Sequence, residues 1–160
     1  MTADAFATAA AVTDPELPVV TIAELGILRD AHGDGTTATV TITPTYSGCP
    51  AMGTIRADIA RALRAAGYTE VDIRTEYAPA WTTDWITPAG RRKLAAAGIA
   101  PPGAAPGGRT GLPLVGAPPP ECPRCGSTEV AELSRFGPTA CTSLWRCHTC
   151  LEPFEHVKPH

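Results

Sequence analysis

The sequence predicts an α+β protein: a small β-sheet packed with helices, then a Pro/Gly linker, then a short C-terminal module closed by four cysteines. Three observations carry this reading. Up to residue 98, stretches of period two alternate with stretches of helical period. Residues 98–120, "GIAPPGAAPGGRTGLPLVGAPPP", hold seven prolines and six glycines among 23 positions, a composition that cannot build a packed core. Beyond them, two C-x2-C pairs are separated by 21 residues. The expected domains are therefore 1–98 and 121–160, joined by a linker at 99–120.

Taken in order, Phe6, Ala9, Ala10 and Val12 outline a short amphipathic helix over 5–12, cut by "TDPELP". Thr13 or Asp14 then begins a turn, with Pro15 at its first helical position. "TIAELGILRD" passes from a helical turn into a strand at Leu25, Ile27 and Leu28. Asp34-Gly35 in "HGDGT" is a hairpin turn, because this pair accepts the positive φ such a turn needs. In "TTATVTIT", Ala38, Val40 and Ile42 share one strand face and threonines the other. After Pro50, the residues Met52, Ile55, Ile59, Leu63 and Ala66 recur at helical spacing, and Gly67 stands where the helix should end. Val71 and Ile73 restore period two. A last helix has Thr87 as N-cap, Pro88 next and Gly98 at its end.

Composition narrows the function. A formal charge of −3, from 13 basic and 16 acidic residues, gives no drive toward nucleic acid or anionic lipid. No apolar run approaches the roughly 20 residues that cross a bilayer. The start, "MTADAFATAAAV", has no basic segment and carries Asp4 in its apolar part, so a cytoplasmic protein is expected. Six cysteines in such a chain point to metal or thiol chemistry rather than disulfides. As a flexible coil, the linker would span about 25 Å.

Cys122, Cys125, Cys147 and Cys150 form the zinc-ribbon pattern. Two residues between cysteines let both thiolates reach one ion, and Gly126 permits the tight turn that follows. The tail is 40 residues long, with Leu133, Phe136, Leu144, Trp145 and Phe154 as its large apolar groups. A chain of that size needs a staple, which a structural metal supplies. The spacing admits zinc, and also iron in a rubredoxin-like site. Cys141 stands outside the pattern, as a small packed hydrophobe or as an extra thiol for a labile metal, and His148 reads as solvated. From residue 121 on, four basic side chains face five glutamates without a basic stripe, so the tail is expected to contact protein rather than nucleic acid.

Cys49, in "TPTYSGCPAM", sits where a strand hands over to a helix. At a helix N-terminus the unpaired amides and the dipole stabilise a thiolate, so its pKa is expected to fall. Gly48 is expected to allow close backbone approach. The alternative is a small packed residue. No histidine stands at a helpful spacing, so a hydrolase-type Cys-His pair is not supported, and soft-metal binding is the stronger form of the idea.

"DPELPVVTIAELGILRD", "TPTYSGCPAM" and "APAWTTDWITPAGRRKL" together resemble the iron–sulfur assembly family that includes the SufT-like proteins. The tail from Cys122 resembles the PaaD family of phenylacetate degradation. The resemblance implies an accessory, non-catalytic subunit of phenylacetyl-CoA epoxidase, also called phenylacetate-CoA oxygenase. Such a subunit would help insert iron or an iron–sulfur cluster into an oxygenase or reductase component. The cysteine of the family's T-x-x-G-C-P motif falls on Cys49, making it the candidate iron or cluster ligand, and the D-P-E motif falls on Asp14, Pro15 and Glu16. That acidic pair equally suits a helix cap. One cysteine cannot fill a cluster's coordination. Two chains must share the cluster as a homodimer, or Cys141 or a small thiol must complete it. The competing expectation is a structural adaptor of the oxygenase complex with only a structural zinc. Direct oxygenase catalysis is disfavoured, because the sequence has no E-x-x-H with which to build a diiron site.

Overall fold

A computed structural model of the chain describes residues 2–104 and 118–160. The chain packs as two compact units, Met1–Trp81 with Trp85–Gly90, and Thr82–Asp84 with Arg91–His160. Packing thus divides the chain inside its third helix, earlier than residue 98.

In the first unit, α1 (Ala5–Ala10) is capped by Asp4, whose carboxylate accepts from the Ala7 amide at 2.8 Å. The "TDPELP" segment forms no helix; Asp14 instead closes a turn with its side chain. Thr21 and Glu24 then cap each other, Thr21 N–H to Glu24 Oε2 at 2.9 Å and Glu24 N–H to Thr21 Oγ1 at 3.1 Å. Strands β1 (Leu28–Asp34) and β2 (Thr37–Ile42) form an antiparallel hairpin. Its two turn residues are Gly35 and Thr36, one position later than the sequence suggests, because Asp34 still pairs with Thr37.

From β2 the chain crosses through α2 (Met52–Ala65) to β3 (Glu70–Thr75), which pairs parallel to β2, giving the order β1-β2-β3. A parallel partner requires such a crossover, and the helix supplies it. The alternation in β2 holds: Ala38, Val40 and Ile42 are fully buried. Ile55, Ile59 and Leu63 of α2 are equally buried, and with Val20, Ile22 and Ile27 they form the core. The core thereby fixes both ends of the segment carrying Cys49. Gly26 is held at φ 78°, and a Cβ there would lie 2.6 Å from that of Trp85, so only glycine fits.

Thr87 caps α3 (Pro88–Ala96) through the Gly90 amide at 3.0 Å. Ile99–Ala100, expected within the linker, is instead strand β4, pairing parallel to β7. The second unit's sheet has the order β4-β7-β6-β5, with β5 (Val130–Ser134), β6 (Thr142–Cys147) and β7 (Pro153–Val157) antiparallel. The rest of the expected linker lies largely outside the described residues. No helix among those described is long and apolar enough to cross a membrane.

Candidate functional site

Two groups of side chains carry chemistry, one in each unit. In the second, the knuckles Cys122–Cys125 and Cys147–Cys150 bring four sulfurs within 4.8 Å of one another. Across the knuckles, Cys122 Sγ lies 3.7 Å from Cys150 Sγ and Cys125 Sγ 3.5 Å from Cys147 Sγ. Four zinc–sulfur bonds of about 2.3 Å in a tetrahedron space their sulfurs by about 3.8 Å, so the donor set fits a tetrahedral ion. The backbone supports it: the Cys150 amide points at Cys147 Sγ at 3.4 Å, and Ser127 Oγ meets Thr149 Oγ1 at 2.8 Å between the knuckles. Amides of Cys150 and Thr149 hold the Cys147 thiol down to about 6. Gly126 has φ 73°, as expected; the second knuckle places Leu151 at φ 65°, which no residue type in the sequence announces.

Beneath the knuckles the apolar core is small: Ala100, Cys122, Cys147 and Phe154, flanked by Val130, Trp145 and Cys150. Cys141 is not part of the four-sulfur group; its Sγ lies 3.1 Å from Thr139 Oγ1. His148 is exposed and also stands outside the group.

In the first unit, α2 starts later than Pro50 predicts, with Ala51 as N-cap, and Cys49 lies two residues before that cap. A turn from Tyr46 sets the thiol in place, the Cys49 amide bonding the Tyr46 carbonyl at 3.3 Å. Gly48 has φ 86°, and a Cβ there would meet nothing within 4 Å. Positive φ, not close approach, therefore requires glycine. Asp14 is buried, and its Oδ1 accepts from the amides of Glu16 and Leu17 at 2.9 and 2.8 Å. Burial pushes its carboxyl above the usual range against the pull of those two amides.

The expected depression of the Cys49 pKa is overturned. Burial raises it first, the charges of Glu16 and Asp14 raise it further, and bonds from the Ala51 amide and Thr45 only partly oppose them. The Ala51 amide at the helix cap does reach the sulfur; desolvation and two carboxylates outweigh it. The charges of the D-P-E turn thus act on the thiol, although 32 residues lie between Glu16 and Cys49. Thr45, the first of the hydroxyl residues that directly precede Gly48 and the threonine that completes T-x-x-G-C-P, bonds the thiol. Among the described residues, no three-ligand cage includes Cys49.

The model of the iron-sulfur cluster assembly protein family matches residues 3–73, and that of the PaaD zinc beta ribbon domain matches 113–158. A protein of Escherichia coli (strain K12), named as a putative subunit of 1,2-phenylacetyl-CoA epoxidase, is 42% identical over 149 residues, covering 92% of this chain and 86% of that one. This chain belongs to the PaaD family. Among solved structures, a DUF59 domain from Bacillus anthracis is 30% identical with a TM-score of 0.51, covering 56% of this chain and 87% of its own. A conserved hypothetical protein from Thermotoga maritima is 28% identical with a TM-score of 0.48, covering 57% of this chain and 90% of its own. The front match, 3–73, contains Asp14, Glu16 and Cys49, and the ribbon match, 113–158, contains the four-cysteine metal-binding group.

Proposed function

We propose that the protein is a non-catalytic maturation factor of the phenylacetyl-CoA epoxidase system. Cys49 transiently holds iron or an iron–sulfur cluster as cargo for an oxygenase or reductase component. Asp14 and Glu16 stand by the thiol. The four ribbon cysteines hold a structural zinc, and the ribbon meets the client. The carrying observation is the convergence of the D-P-E turn on Cys49 in a domain that matches an iron-sulfur cluster assembly family. Burial and two nearby carboxylates make the thiolate costly by itself, and a cation is the species that relieves it. One thiolate and two carboxylates cannot enclose a cluster, so cargo is held between two chains or completed by a small thiol.

Anaerobic reconstitution with ferrous iron and sulfide, followed by iron counting and absorption, tests this reading. Wild type should take up iron that Cys49→Ser loses and that Asp14→Asn with Glu16→Gln holds more weakly. Equal iron in wild type and Cys49→Ser removes the cargo role.

A second reading has its own observation. The one grouping of three or more metal-capable ligands among the described residues is the ribbon's. On that reading the protein is a structural adaptor with only a structural zinc. It predicts one zinc, no iron, and normal client maturation by Cys49→Ala.

A further inference from the structure

The ribbon's β5 is the sheet's edge strand, and its pairing with β6 breaks between Glu132 and Ser134. The bulge turns Leu133 outward, leaving it 58% exposed. Phe136 follows at 75% exposure, and its backbone is pinned there. Ser134 Oγ accepts from the Phe136 amide at 3.1 Å and donates to the Phe136 carbonyl at 2.9 Å. A large aromatic side chain is thus presented to solvent by a rigid bracket, which lowers the ordering cost of any contact it makes.

Beside it lies a cleft of about 490 Å³, walled by Phe136, Trp145 and Pro120 and edged by Glu132, Arg135 and Lys158. Lys158 Nζ sits 5.1 Å from the Phe136 ring and bonds the Ala140 carbonyl at 3.0 Å, which holds the cation at the rim. Arg135 makes a loose 3.8 Å contact to Glu132, and its side chain is 88% exposed. Two cations face one carboxylate here, while the tail from residue 121 carries four basic and five acidic groups. The cleft has the opposite sign to the module that carries it.

We propose that this cleft docks a protein segment presenting an aromatic or aliphatic side chain flanked by carboxylates, carried by the epoxidase component that the protein serves. The identity of that component rests on the function proposed above. Apolar anchors beside arginine form the energetic centre of many interfaces, and complementary charge sets register and rate. A second copy of this chain is disfavoured on charge, since a two-fold contact of this cleft with itself would oppose two patches of the same net sign.

Titration calorimetry of the full zinc-loaded chain against purified oxygenase and reductase components of the epoxidase tests the proposal. Phe136→Ala and the double variant Arg135→Glu/Lys158→Glu should each weaken binding to one component by roughly tenfold or more, and Phe136→Leu should retain most of it. Wild-type affinity should fall as salt rises. Cys49→Ser should bind normally, so failure of iron handling and failure of docking are read separately. Unchanged affinity in both cleft variants, loss in Phe136→Ala alone, or no binding to either component overturns the proposal. So does a wild-type dimer in sedimentation that Phe136→Ala dissolves. A melting temperature that falls in Phe136→Ala as after a core truncation would mean that the chain itself fills the cleft, and would overturn it too.

Discussion

Gly126 and Leu151 adopt the same left-handed backbone at equivalent places, each directly after the second cysteine of its knuckle, with φ of 73° and 65°. The turn folds the chain back so that amides face the sulfurs. For a side chain this conformation costs about 1–2 kcal/mol. A Cβ at Gly126 meets nothing within 4 Å, so Gly126→Ala should destabilise the zinc-loaded ribbon through backbone strain alone, by about that amount. Leu151→Gly should be neutral or slightly stabilising, since Leu151 is exposed. Thermal melts of both variants check this; a Gly126→Ala melt identical to wild type would show that the first knuckle does not need its left-handed turn.

Metal removal should unfold the tail and spare the front domain. The ribbon's buried apolar residues are few, with Phe154 the large one among them, whereas the first unit buries Ile22, Ile27, Ile42, Ile55, Ile59 and Leu63 on its own. A structural zinc contributes about 10–16 kcal/mol of apparent binding free energy in small domains, far more than such a core can replace. Chelation, or Cys147→Ser, followed by limited proteolysis should release peptides from 121–160 while those from α2 and β2 stay protected. Continued protection of the tail would show that its apolar core suffices.

Most of this architecture is legible in the sequence because its signals are local. The alternation at Ala38, Val40 and Ile42, the spacing of Ile55, Ile59 and Leu63, and the cap at Thr87 each report on neighbours along the chain. Pairings between distant segments are not. Ile99–Ala100 carries no strand pattern of its own; its partner β7 lies more than fifty residues further on, and proline and glycine around it argue for linker. The cysteine cage is readable because two knuckles announce themselves by spacing. The Asp14–Glu16–Cys49 group is readable only through family motifs, and the balance of burial against amides at the thiol has no sequence signature.

His156 gives the ribbon a pH dependence with a defined sign. Its ring is buried edge-on to Trp145 at 6.0 Å between centroids, and burial lowers its pKa from 6.5 to about 4. The unfolded chain therefore binds a proton that the folded one refuses between these values. Stability should be complete above about pH 6.5 and fall as pH drops toward 4. Thiolate protonation weakens metal binding on the same acid side, so the useful measurement is a difference. Denaturant melts of zinc-loaded wild type and His156→Phe across this window should diverge, the variant losing less stability on acidification. Parallel curves would assign the whole loss to the metal site.

Cys49 supplies the decisive titration, because its thiol is held by opposing forces that a single substitution can separate. Burial and the negative charges of Glu16 and Asp14 keep it protonated above its ordinary range, against bonds from the Ala51 amide and Thr45. Glu16→Gln removes one charge without touching the Asp14 turn, whose bonds run from the Glu16 and Leu17 amides to Asp14 Oδ1. The thiol should then ionise at lower pH. Iodoacetamide alkylation of the Cys49 peptide, followed by mass spectrometry across a pH series, should shift its midpoint downward in Glu16→Gln and upward in Thr45→Val. Cys141 should titrate alike in all three proteins. If the Glu16 charge acts on the thiol, ferrous iron should also bind Glu16→Gln more weakly even though its thiolate forms more readily. That pairing of easier ionisation with poorer metal uptake separates a metal cradle from an activated nucleophile, for which the two quantities would improve together. An unchanged alkylation midpoint in Glu16→Gln would place the D-P-E turn outside the site.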